Sequence, residues 1–151
     1  MSIEATLAQK GITLPAAPAP AANYVPFVQT GNLVFVSGQI SQDESGQIKG
    51  RLGDGMSVED GAAAARRCGL SLIAQLKAAV GDLDRVRRVV KLTGFVNSTP
   101  DFADQPKVIN GCSDLMVEVF GDAGRHARAA VSAPALPLGV AVEIEAIFEV
   151  A

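Results

Sequence analysis

Arg128 interrupts an otherwise apolar run, Ala127 to Val131. A guanidinium at such a position is costly unless it is paired, and its planar fork matches a carboxylate through two parallel hydrogen bonds. Glu143 and Glu145 recur two residues apart in an alternating segment. A strand would set them on one face, roughly 7 Å apart. Two readings of these groups are open on residues alone: an internal Arg128–Glu143 ion pair or a solvated acidic face on one side, a carboxylate-binding and acid–base site on the other. The bare residues favour the former. Ser37, Gly38 and Gln39 follow an apolar stretch and fit either a binding loop or a plain strand terminus.

The other chemical templates fail. The chain contains no G-x-S-x-G, no P-loop and no G-x-G-x-x-G. Its single histidine, His126, falls in the turn Gly124-Arg125-His126 and excludes a His-rich metal site. No C-x-x-C pair exists for zinc. Cys68 and Cys112 both fall in helical patterns, where buried thiols are inert far more often than reactive. These residues offer no pattern for a His-rich or zinc metal site.

The elements that must position these residues follow from periodicity. The chain has 151 residues, 48% of them apolar and 19% charged, with a net charge of −3. That length fits one domain, with residues 1–23 as an arm and 24–151 as the core. Mean hydropathy is +0.26, yet no run approaches the ~18 apolar residues of a membrane span. The apolar excess therefore predicts surface hidden in an oligomer. Net acidity argues against nucleic acid as a main partner. Met1 to Lys10 lacks the basic start and apolar stretch of a signal peptide, and the reduced cysteines fit a cytoplasmic protein.

Ser2 to Lys10 predicts a short helix, and Leu14 to Pro20 an extended, proline-stiffened arm on the domain surface. Val25–Gln29 and Leu33–Ser37 predict a hairpin with Gly31 or Asn32 at positive φ. The second of these strands is apolar at consecutive positions, which predicts cover on both its faces. Residues 41–56 are polar and glycine-rich, a loop or a loose ribbon. Ser57 caps a helix whose stripe (Ala65, Cys68, Leu72, Leu76, Ala79, Val80) ends at Gly81. Arg85–Asn97 is a β-branched strand, and Pro106 opens a helix running to Phe120. Ala127–Ala133 is a further strand. Val140 to Val150 alternates with a period of two, one face wholly apolar and the other bearing three carboxylates. The sum is an α+β sandwich: one mixed sheet, two helices on one face, and the opposite face left for oligomerisation.

Several of these segments resemble the Rid (reactive intermediate deaminase) family, also called YjgF-like or L-PSP endoribonuclease-like. They are Tyr24 with Gly31-Asn32 and Ser37-Gly38-Gln39-Ile40; Val89-Val90-Lys91, Phe95-Val96, Asp101-Phe102 and Asn110; and, most specific, Ala127-Arg128, Val131, Leu136-Pro137 and Val142 to Ile147. The resemblance spans about Tyr24 to Val150. It implies a chorismate-mutase-like fold assembled as a homotrimer with clefts between subunits. It also implies hydrolysis of 2-imino or 2-enamino acids to 2-keto acids and ammonia, with neither metal nor cofactor. By position, Arg128 would clamp the substrate carboxylate and Glu143 would activate water. Tyr24, Ser37, Gly38 and Asn110 would line the cleft. Many deaminase members carry a cysteine two residues after the arginine. Ala130 stands there in this chain, leaving a backbone group to contact the imine nitrogen. The arm and the 41–56 loop are longer than in short members, and the Gly121 to Arg128 stretch marks a distinct branch. The competing readings are a non-catalytic binder of small carboxylates and, last, an endoribonuclease. The latter has only the basic cluster Arg85, Arg87, Arg88 and Lys91 and no aromatic platform for bases.

Overall fold

The structure is a computed structural model and describes residues 1–20 and 22–151. Ala21, within the expected arm, lies outside them. The C-terminal strand organises the rest. Along β7 (Val142–Val150), Val142, Ile144, Ala146, Phe148 and Val150 are all buried, while Glu143, Glu145, Ile147 and Glu149 turn the other way. A period of two over nine residues buries one face completely and fixes the register. β7 is the middle strand of a five-stranded sheet, flanked by β2 (Leu33–Ile40) and β5 (Val86–Asn97). The edges are β1 (Phe27–Thr30) and β6 (Ala127–Ala133). Neighbours run antiparallel except β5 and β6. A parallel pair needs a crossover, which α3 (Gln105–Phe120) supplies.

Both long helices lie on one face of this mixed sheet, as the periodicity predicts. Ser57 caps α2 (Val58–Val80), its Oγ accepting the Asp60 N–H at 3.1 Å. Gly81 closes it at φ 80°. In the β1–β2 hairpin, Gly31 takes positive φ (58°) and Asn32 does not. The 41–56 segment holds a two-stranded ribbon, β3 (Gln42–Asp43) with β4 (Gly46–Gln47). Both thiols are free and buried, and burial pushes Cys112 up to about 12, the behaviour of an inert core group.

Within one chain β2 is covered on one face only. Val34 and Val36 are buried under the helices, but Phe35 on the opposite face is 41% exposed. One chain supplies only one helical layer, so nothing in it covers the second face. Val28 and Val131 are exposed there too. The arm also does more than lie on the surface. Ser2 caps α1 (Ile3–Gln9), and Leu7, only 4% exposed, joins the main core cluster. Glu4 pairs with Lys77 at 2.8 Å, and the Ile3 N–H reaches Asp84 Oδ1 at 2.7 Å.

The two long helices touch through small residues. Gly61, Ala65 and Gly69 recur every fourth position on α2 and are buried. A Cβ on Gly69 would lie 3.0 Å from Cys112 Sγ of α3, and one on Gly111 of α3 would collide with the Ala62 carbonyl of α2. In an exposed helix Gly→Ala gains about 1 kcal/mol. At Gly111 the obstacle is backbone, which cannot rotate away, and overpacking costs about 1–3 kcal/mol. Gly111→Ala is therefore expected to lower the urea midpoint, with a net stability loss of up to about 2 kcal/mol; a raised midpoint would refute this close crossing.

Candidate functional site

Glu143 of β7 pairs with Ile40 of β2, just past an irregularity in the ladder. The ladder between these strands shifts between Val36 and Gln39, so Ser37 and Gly38 form a bulge. The Glu143 carboxylate lies flat against Gly38: a Cβ there would collide with Oε2 and come within 3.0 Å of Cδ. Any side chain at 38 would have to push the Glu143 carboxylate aside, and it is this contact, not the φ of Gly38, that favours glycine here. Among the described residues, no cation and no hydrogen-bond donor pairs with Glu143. The group is half-buried, and desolvation first, the neighbouring Glu145 charge second, raise it above the ordinary carboxylate range. Tyr24, Gly38 and Glu143 face one cavity of about 480 Å³. Ser37 is the first member of the bulge, but its hydroxyl is spent on the Val25 carbonyl at 2.8 Å.

Arg128 lies elsewhere. It pairs in register with Leu92 of β5, a buried residue, and so points to the helical side of the sheet. There α3 receives it: Nη1 donates to Asn110 Oδ1 at 2.8 Å and to Ser113 Oγ at 3.1 Å. Asn110 and Ser113 are one helical turn apart and share a face. The Ser113 hydroxyl is itself oriented by His126. Nδ1–H of that ring donates to the Gly124 carbonyl at 2.6 Å, which turns Nε2 toward the Ser113 hydroxyl, 2.8 Å away and hydrogen-bonded to it. Nε and Nη2 of Arg128 make no hydrogen bond among the described residues. That free edge, beside a shallow depression of about 290 Å³, can take a carboxylate bidentately. Ala130 lies two residues further along β6 and is partly buried against the core.

The proposed site residues thus fall into two groups. Tyr24, Ser37, Gly38 and Glu143 stand together; Asn110, Arg128 and Ala130 stand together. Glu143 pairs in register with Phe95, and Phe95 with Val131, on the open side of the sheet. Arg128 is two strands away, three residues along, and on the helical side, with Cα atoms about 14 Å apart from strand spacings. The internal Arg128–Glu143 ion pair is therefore absent. Ser113 and His126 join the arginine group although the sequence offered His126 only as a turn residue. The signal that could have found Ser113 is its helical spacing from Asn110.

Glu143 has a measurable consequence for stability. Its folded pKa exceeds its unfolded value, so its favourable contribution is complete below the ordinary glutamate value of about 4.3 and is lost as pH rises through the folded pKa. Glu143→Gln removes that loss. At fixed protein concentration its urea midpoint should exceed wild type by a margin that grows with rising pH and then levels off. A margin independent of pH would mean that this carboxylate is not desolvated.

Comparison with known proteins identifies the family and the fold. The family described as "YjgF/chorismate mutase-like, putative endoribonuclease" matches residues 4–149. Protein TCP17 of Trypanosoma cruzi is 52% identical over 149 residues, covering 97% of this chain and 93% of that protein. The crystal structure of Atu1372 from Agrobacterium tumefaciens is 47% identical and superposes with a TM-score of 0.91, covering 99% of this chain and 92% of that one. The E. coli TdcF structure with bound serine is 27% identical, with a TM-score of 0.65 over 89% of this chain and 94% of that one. No helix among the described residues is long and apolar enough to cross a membrane. The chain belongs to the YjgF/chorismate mutase-like family, the Rid and RutC proteins, and has that family's α+β fold.

Proposed function

We propose that the protein is an imine deaminase: it hydrolyses 2-imino or 2-enamino acids to 2-keto acids and ammonia at sites shared between subunits of a homotrimer. The observation that carries this reading is that each half-site is incomplete in a way the other repairs. Glu143 faces a cavity with no cation among its lining residues, and Arg128 offers a free guanidinium edge in a separate depression that Glu143 does not line. They lie on opposite sides of one sheet, so they meet only if the β6 edge of one copy approaches the cavity of another. The exposed apolar face with Val28, Phe35 and Val131 supports such an assembly. Two buried free cysteines support a reducing cytoplasmic setting.

In this reading Arg128 holds the substrate carboxylate, fixed by Asn110 and Ser113. Glu143 takes a proton from water as the water oxygen bonds to C2 of the protonated imine. The carbinolamine nitrogen then takes that proton, Glu143 accepts the hydroxyl proton as the C–N bond breaks, and the 2-keto acid and ammonia part, the ammonia leaving as ammonium with the proton Glu143 gives back. A carboxylate raised toward neutrality suits both steps, accepting from water and returning to nitrogen. Tyr24 and Gly38 wall the base, and a backbone group at Ala130 serves the imine nitrogen. A second reading, a non-catalytic binder of small amino or keto acids, is favoured by the serine bound to TdcF. An endoribonuclease is less supported. Arg85 in the only basic cluster is occupied by the Val80 and Ala151 carbonyls, at 3.0 and 2.9 Å.

The test is ammonia release from imines made in situ by an amino-acid oxidase. Wild type should accelerate it. Arg128→Ala should raise KM about 10–100-fold, the loss expected for charge-assisted hydrogen bonds. Glu143→Ala should lower kcat about 10²–10⁴-fold, and Ser113→Ala should raise KM less than Arg128→Ala does. No acceleration with any imine, alongside keto-acid binding that Arg128→Ala abolishes, would replace the enzyme by the binder. Cleavage of RNA would favour the third reading.

A further inference from the structure

The cavity beside Glu143 has a chemical character that the reacting groups do not require. Ala19, Pro20, Ala22, Pro26, Ile40 and Leu138 present apolar surface to it, Tyr24, Gln39, Gln42 and Gln47 add uncharged polar groups, and Glu143 is the one charged group among the residues lining it. A second carboxylate entering here would meet Glu143 with no cation to offset it. An apolar group would displace water from apolar walls.

Leu138 is the informative member. It has φ 61° and ψ 10°, and is the one non-glycine residue with positive φ among the described residues. A bulky side chain adopts that conformation only under strain. Its side chain is 57% exposed, so packing within the chain does not offset the strain. What holding it there achieves is an isobutyl group at the mouth of the cavity.

The opposite wall is held just as specifically. Gln75 of α2 is 1% exposed, a polar residue within an apolar stripe. Its Nε2 donates to the Pro18 carbonyl at 2.6 Å and to Gln39 Oε1 at 3.4 Å, and Gln39 Nε2 donates to the Ser37 carbonyl at 2.9 Å. One buried amide therefore ties the arm to the bulge against which Glu143 lies.

We propose that this cavity is a side-chain subsite for 2-imino and 2-keto acids whose side chains are uncharged and apolar, with Leu138 and the Gln75-anchored arm as its specificity-determining walls. The inference rests on the reading of Glu143 as the group beside the reacting carbon, but binding tests it without turnover. Calorimetric titration of the full-length protein would compare pyruvate, 4-methyl-2-oxopentanoate and 2-oxoglutarate. The branched acid should bind about tenfold or more tighter than pyruvate, since each buried methylene is worth about fourfold, and 2-oxoglutarate should bind weakest. Leu138→Gly should raise Tm by relieving strain while shrinking the branched-to-pyruvate ratio severalfold. A merely structural role would not split stability from preference in this way. Gln75→Leu should shrink the ratio too and expose the arm to limited proteolysis. Equal affinity for the three acids, no binding of any, or a Leu138→Gly variant whose assembly weakens in light scattering with the ratio unchanged would each overturn the proposal. Selective binding without imine turnover would leave the subsite standing and remove the deaminase. Turnover blind to side chain would do the reverse.

Discussion

Glu143 sits on the middle strand of the sheet, half-buried, and no cation among the described residues neutralises it. Desolvating a carboxylate is unfavourable, so its place must be imposed by something stronger. The five buried apolar residues of β7 impose it. Burying a side chain of that kind is worth roughly 1.5–3 kcal/mol, and a one-residue slip would turn all five to water and Glu143 into the core. The hydrophobic face thus dictates where the charge stands. The bulge at Ser37-Gly38 is the local accommodation: it opens the ladder and leaves no Cβ, so the carboxylate can lie on backbone.

The same sheet keeps the acid and the arginine apart. Two ladders and opposite faces separate them, and α3 takes over the arginine through Asn110 and Ser113. Without those acceptors, and without His126 orienting the serine, a long flexible guanidinium on an edge strand would lose rotamer entropy on every binding event. Held by one nitrogen, it keeps two others for a ligand. On the proposed reading, a site made from opposite faces of identical sheets requires a head-to-tail contact between copies. Such a contact leads to a ring when its rotation closes, which accords with the trimer that the family resemblance implies.

This division explains what could be read from sequence. β7, β5, α2 and α3 carry strong period-two or period-3.6 patterns, and the structure places all of them close to the expected bounds. Arg128, Glu143 and Gly38 are visible too, as a charge in an apolar run, a carboxylate on an alternating strand and a glycine past a strand core. Their separation is not visible. Whether Arg128 and Glu143 share a face depends on register across β5, set by a parallel ladder on one side and an irregular antiparallel one on the other. Periodicity within one strand says nothing about that parity. The exposed face of β2 has the same origin, because an apolar strand reads alike whether its second cover comes from its own chain or from another. Gln75 did leave a trace, a polar residue between Leu72 and Ala79 in the stripe of α2. The strained backbone at Leu138 left none, since a proline–leucine–glycine turn is compatible with several conformations.

The arm shows how a composition that looks featureless can serve a site. Ordering a residue costs about 1–2 kcal/mol of backbone entropy, and the exposed Glu4–Lys77 pair offsets little of it. The arm is instead fastened by Leu7 in the core, by partly buried Ile12 and Leu14, and by the Gln75 amide at Pro18. Between these points Pro15, Pro18 and Pro20 reduce the entropy to be lost, because their φ is fixed in the unfolded chain as well. Alanines and prolines also carry little side chain. A segment made of them can stand as a wall beside Glu143 without filling the space it encloses, and the stiffness that orders the arm is the same property that keeps the cavity open.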